Sequence, residues 1–230
     1  MMRENVSSYN ELKDIVIADL ALILAMSLTL SGGIFGLSSG GFASSFLILL
    51  PIAAVGVTLS FVLHELMHKY VAQRYGAIAG FRTSYQGLMI TLVTGAFGFL
   101  LGIPGATMIY AHNFTRKENG IVSLAGPLTN FVVFGAALAL FFVLSPAPGS
   151  YLGEALYFII FISILLAFFN MLPIFPLDGS KVLAWNKPIY LATMGAIFVL
   201  MVVFTRIPLT SVIFMVIIAL FFSFFYRVHL

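Results

Sequence analysis

Seven apolar runs separated by short polar stretches leave this chain of 230 residues almost no way to fold in water. They lie near 15–37, 44–68, 88–105, 121–144, 152–172, 190–205 and 209–226, and most approach the roughly twenty residues that a spanning helix needs. Charged residues make up 8% of the chain, against roughly a quarter in a soluble globule, so they cannot cover a water-facing surface. The expected fold is an all-α polytopic membrane protein. The eleven Lys and Arg stand singly or in pairs between apolar runs, as topology determinants do, and a nucleic-acid partner is not expected. Without cysteine, the chain has no disulfides, thiolate metal sites or cysteine nucleophiles. Its first fourteen residues carry both signs of charge (Arg3, Glu4, Glu11, Lys13, Asp14) and do not resemble a cleavable signal peptide.

The third run is short and is broken by Gly95, Gly98, Gly102, Pro104 and Gly105. Cytoplasmic loops collect Lys and Arg, so charge can decide whether this run crosses. If all seven runs cross with the N-terminus inside, six basic residues face the cytoplasm and five face outward. If 88–105 dips in and returns, Arg3, Lys13, Lys69, Arg74, Arg82, Arg116, Lys117, Lys181, Lys187 and Arg227 are all cytoplasmic, and Arg206 alone lies outside. The second arrangement fits the bias. It gives six transmembrane helices, both termini in the cytoplasm, and a re-entrant or β-hairpin element near 81–110. Non-helical backbone at membrane depth must line a cavity or be buried in protein, and Phe81 to Leu92 includes Thr83, Tyr85 and Thr91, which suit a short strand. No repeat, linker or soluble module interrupts the chain. A single membrane domain over 1–230 is expected, with a core at 44–185, a first span at 15–37 and C-terminal spans at 190–226.

Polar side chains inside hydrocarbon are costly, which singles out the end of the second run. There His64-Glu65-Leu66-Met67-His68 reads H-E-x-x-H. On a helix His64 and His68 share a face and can offer two imidazoles to one metal ion, and Glu65 beside them can take a proton from a water that the ion activates. Composition alone would give this pattern in about one or two of a thousand such chains. The bland alternative is a chance cluster wetted by lipid headgroups.

A catalytic metal needs a third protein ligand and an open position. The longer pattern that adds a third His is not continued, because Val71 stands where it requires Gly. Glu118, in the charged stretch Arg116-Lys117-Glu118, and Glu154, at a helix start, read better as solvated or helix-terminal charges. Asp178 is the remaining candidate. It follows Asn170-Met171-Leu172-Pro173-Ile174-Phe175-Pro176-Leu177, where two prolines end the helix, and Gly179 behind it permits a tight turn. The six-span topology puts Asp178 and the two His on one side of the membrane, about 9–15 Å below its cytoplasmic face at 1.5 Å per residue.

The two motifs together resemble those of the site-2 proteases, the intramembrane zinc metalloproteases of peptidase family M50. His64-Glu65-Leu66-Met67-His68 matches the first hallmark, and Asn170, Pro173, Pro176, Asp178 and Gly179 match the second, N-x-x-P-x-x-P-x-D-G. Ala125-Gly126-Pro127-Leu128-Thr129-Asn130 is a third family-like stretch, and the likeness covers about 44–185. It implies one zinc ion per chain held by His64, His68 and Asp178, with Glu65 as the catalytic base. It further implies that Asn170 helps to hold the substrate carbonyl or oxyanion. Ser180 departs from the second glycine common in the family, and no appended PDZ or CBS module is expected.

The implied activity is hydrolysis of peptide bonds within or near transmembrane segments of membrane-anchored proteins, at a site near the cytoplasmic side of the cell membrane. A substrate helix must unwind before attack, and the 81–92 stretch could receive the extended form along a strand edge. The competing reading is a metal-ion or proton transporter that uses the same His, Glu and Asp cluster as a relay. Asp19 reads as interfacial, His112 as solvated and His229 as a terminal residue without a partner. Gly126 and Pro127 read as shaping helix packing.

Overall fold

Asn10 starts the first helix by accepting the backbone N–H of Lys13 on its side chain at 3.1 Å. The computed structural model describes residues 10–38, 40–102, 104–205 and five positions between 213 and 221. Helix α1, Glu11–Leu30, closes at Ser31 and two glycines of positive φ, Gly32 and Gly33. A methyl on Gly33 would overlap the Ala96 carbonyl, so this turn lies tight against the end of a later helix. Helix α2, Phe42–Arg74, runs 33 residues and contains a π-type turn over Thr58–Val62 just before the H-E-x-x-H segment.

The chain then turns through Gly76, at φ +76°, into strand β1, Ile78–Thr83. Ser84 caps helix α3, Tyr85–Ala96, and strand β2, Gly105–Tyr110, returns antiparallel to β1 with Phe81 opposite Thr107. At twelve residues α3 is about 18 Å long, too short to cross a bilayer. The dip expected near 81–110 is therefore a strand, a short helix and a strand. Only 81–83 of the 81–92 stretch is extended, and from Tyr85 it is helical.

Thr115 begins helix α4, Arg116–Leu144, through a capping box with Glu118. Ser150 caps helix α5, Tyr151–Asn170, by accepting the Gly153 N–H at 3.2 Å. Helix α6, Asp178–Trp185, and helix α7, Lys187–Thr205, follow. The all-helical expectation is thus met with one amendment, the two-stranded sheet.

Four of the described helices, α2, α4, α5 and α7, are long and apolar enough to cross a membrane. Helix α1 is not among them; it carries Glu11, Lys13, Asp14 and Asp19 and stops at Leu30, short of the expected 37. The span expected at 209–226 and the terminal His229 lie outside the described residues apart from those five isolated positions. Two apolar clusters share α5. Ile160, Ile164 and Phe168 pack with Phe134, Val182, Ile197 and Met201, whereas Phe158 and Ile162 join Ile15, Leu22, Ile52, Phe61 and Phe81. Burial on two sides fixes α5, and the segment that follows it carries Asp178.

Candidate metal centre

Four residues is just over one helical turn, and the structure places His64 and His68 on one face of α2 with their Nε2 atoms 3.0 Å apart. Oδ2 of Asp178 lies 3.0 Å from His68 Nε2 and 3.4 Å from His64 Nε2. All three residues are buried, and together they form a group that could hold a metal ion. Residues 114 positions apart or nearly so are brought together here because α4 packs against both α2 and α6.

Asp178 reaches the centre because the proline-rich segment after α5 turns back and starts α6 at the aspartate itself, with Leu177 extended before it. Gly179 is needed for close approach rather than for a left-handed turn. A methyl there would overlap the carbonyl oxygens of Met171 and Leu172. Burial alone would raise the Asp178 carboxyl, but the charge and hydrogen bonds of His68 and His64 outweigh it and hold the group well below the usual carboxylate range. Its second oxygen, Oδ1, is 3.7 Å from Lys181 Nζ.

The donor set fits a metal ion on its own chemistry. His68 Nδ1 is 2.7 Å from the Val122 carbonyl oxygen, which can only accept, so that nitrogen carries a proton and Nε2 is the one left to face a metal ion. Two imidazole nitrogens and a carboxylate oxygen then converge within 3.4 Å, an arrangement that a cation resolves. In tetrahedral zinc sites with bonds of about 2.0–2.2 Å, neighbouring ligand atoms stand roughly 3.3 Å apart, close to these separations. Helix α4 leaves the space for this. A methyl at Gly126 would overlap Nε2 of both His68 and His64. Gly126 was expected to serve helix packing; where α4 packs against α2 it also keeps one wall of the centre bare.

Glu65 points from the same turn of α2 toward the sheet. Its Oε2 accepts the Thr107 backbone N–H at 2.9 Å and lies 2.8 Å from the Thr107 hydroxyl. The opposite edge of the sheet is also tied to carboxylates. Glu11 Oε1 accepts the Phe81 N–H at 3.0 Å, Asp14 Oδ2 accepts the Thr83 N–H at 2.8 Å, and Glu11 also pairs with Lys69. The edge of β1 is therefore covered by α1, and on the outer edge of β2 the Thr107 N–H is taken by Glu65.

Asn170 ends α5 with its side-chain N–H donated to the Leu166 carbonyl at 3.1 Å, within its own helix. Asn130, one turn beyond Gly126 on α4, is fully buried, and its amide makes no hydrogen bond among the described residues. Glu118 is occupied by the capping box and Glu154 lies in the first turn of α5, so neither joins the centre. Asp19 is half-buried, with Oδ2 accepting the Thr58 hydroxyl at 2.7 Å. His112 is exposed. Thr107, Val122 and Gly126 had no signal in the sequence beyond the family-like stretch around Gly126.

A family model described as peptidase family M50 matches residues 145–186, the stretch that contains Asn170 and Asp178. The "Putative zinc metalloprotease MJ0611" of Methanocaldococcus jannaschii is 43% identical over 144 residues, covering 60% of this chain and 72% of that protein. The chain belongs to peptidase family M50. Two further relatives extend the likeness of this M50 peptidase. The "Putative zinc metalloprotease YwhC" of Bacillus subtilis is 30% identical over 154 residues, 59% of this chain and 68% of that one. The "Putative zinc metalloprotease Rip2" of Mycobacterium tuberculosis is 30% identical over 175 residues, with shares of 66% and 67%.

Proposed function

We propose that this M50 peptidase is an intramembrane zinc metalloendopeptidase that hydrolyses peptide bonds in or near the transmembrane segments of membrane-anchored proteins. The observation that carries the reading is the convergence of His64, His68 and Asp178 within a chain whose long helices are apolar enough to cross a membrane. The names of its relatives supply zinc as the metal.

In this reading His64, His68 and Asp178 hold the ion. Bound zinc supplies Lewis acidity, which makes water a better nucleophile near neutral pH and polarises a carbonyl. Glu65 takes the proton from the attacking water and passes it to the leaving amine. Its carboxylate is in reach because it sits one residue after His64 on the same helix. Asn170 stands at the entrance of the Asp178 segment, where an amide that left the Leu166 carbonyl could meet the substrate carbonyl. An extended substrate can pair with the β2 edge, since that of β1 is already covered by α1. Six spans with both termini in the cytoplasm would put the centre near the cytoplasmic face. A metal or proton transporter would need the same side chains, but membership of a peptidase family favours cleavage.

The test is cleavage of a single-span model protein by purified, zinc-loaded enzyme in liposomes, wild type against Glu65→Gln. Wild type should give a product ending inside or beside the span, and Glu65→Gln should keep its zinc and leave the substrate intact. A wild-type protein that binds zinc and cuts no such substrate, or a Gln variant that cuts equally well, would overturn the proposal.

A further inference from the structure

A general base works only when its carboxylate is held where the proton will be, and Glu65 has three side-chain torsions with which to leave that place. The contacts that hold it come from one residue. In the register of the sheet Phe81 faces Thr107, and both point their N–H groups outward. The Phe81 N–H goes to Glu11, and the Thr107 N–H goes to Glu65 Oε2 at 2.9 Å. The Thr107 hydroxyl adds a contact to the same Oε2 at 2.8 Å and lies 3.1 Å from the Glu65 carbonyl oxygen. Oε1 takes no hydrogen bond from the described residues, so one carboxylate oxygen is anchored and the other is available.

We propose that Thr107 is a positioning residue for Glu65, fixing Oε2 from the sheet so that Oε1 serves the proton transfer. This rests on the peptidase reading of Glu65. The side chain of Thr107 supplies half of the anchor and its backbone the other half. The placement of β2 and the aim of the base are then one variable, and a peptide that pairs along β2 meets the strand that also holds the base.

Thr107→Val keeps the β-branched shape and the N–H but removes the hydroxyl, whereas Thr107→Ser keeps the hydroxyl. With zinc-loaded enzyme and a substrate that wild type cleaves, Thr107→Val should lower kcat by about 10- to 100-fold. KM, zinc content and melting temperature should be unchanged, and Thr107→Ser should recover most of the rate. A second measurement needs no catalysis. Hydrogen exchange over residues 105–110 should quicken in Glu65→Ala, because the Thr107 N–H loses its acceptor. A Thr107→Val enzyme with wild-type kcat overturns the proposal, as does one whose loss lies in zinc content or melting temperature and is not recovered by Ser. Unchanged exchange in Glu65→Ala also overturns it. If wild type itself cuts nothing, it is the peptidase reading that fails, and the exchange measurement still reports on the Thr107 contact.

Discussion

His68 and Val122 are joined by a hydrogen bond of 2.7 Å from the imidazole Nδ1–H to the backbone carbonyl oxygen. A main-chain acceptor on α4 thus selects the tautomer of a side chain on α2 and leaves Nε2 free for an ion. Such outer contacts typically change metal affinity by about 10- to 100-fold when disturbed. The bond also fixes how far apart the two helices stand at the centre, and Gly126, one turn along, depends on that spacing.

Gly126→Ala should therefore weaken zinc binding roughly 10- to 100-fold while the helices persist. The added methyl would overlap Nε2 of both imidazoles, and His68 cannot rotate away without giving up Val122. Chelator competition followed by metal analysis measures the affinity, and circular dichroism checks the fold. Wild-type affinity in this variant would mean that the rings can move clear.

Asp178→Asn keeps the size of the side chain but removes the negative charge that faces two imidazoles. Zinc affinity should fall by at least about 100-fold, more than for an outer contact. Lys181→Met touches only the other carboxylate oxygen, from 3.7 Å, and should change affinity by less than about 3-fold. Equal losses in the two variants would contradict the assignment of Oδ2 as the ligand atom.

Asp14→Ala removes the acceptor of the Thr83 N–H at the covered edge of β1. Thr83 is half-buried, so its unpaired N–H should cost about 1 kcal/mol, the lower end for a lost partner. Residues 78–83 should exchange their amide hydrogens correspondingly faster, while the zinc content stays at the wild-type level. Unaltered exchange would show that the edge is held by Glu11 alone.

Glu118→Ala tests the carboxylate that the capping box occupies. Losing its contacts to Thr115 should lower the melting temperature slightly, with zinc stoichiometry unchanged. A drop in bound zinc would reopen Glu118 as a ligand.

The metal centre was legible because its chemistry is local. His64 and His68 are four apart on a helix whose apolar run is unmistakable, and Asp178 is the acid that two prolines set just past the end of another. The break in helical structure at 81–110 was legible from glycine density and from the strand-prone residues near Phe81 and Thr83. What stayed hidden depends on contacts between distant segments. Glu11 and Asp14 read as a charged N-terminal stretch, yet they bind a strand about seventy residues away. Gly126 read as a packing glycine because nothing in its neighbourhood says that imidazoles lie against it. Thr107 sits in a short strand whose partner at 78–83 is separated from it by a helix, so its pairing with Glu65 has no local signature.

The π-type turn at Thr58–Val62 accommodates one surplus residue compared with a regular helix. That residue rotates everything after it by roughly 100° relative to everything before it. Excising a single amino acid between Val57 and Leu63 would leave a longer uninterrupted α-helix, equally apolar and at least as comfortable in lipid, but with both imidazoles swung a quarter-turn or more off the aspartate. A local irregularity in winding is thus what lets one rod present a greasy flank above and a ligand pair below.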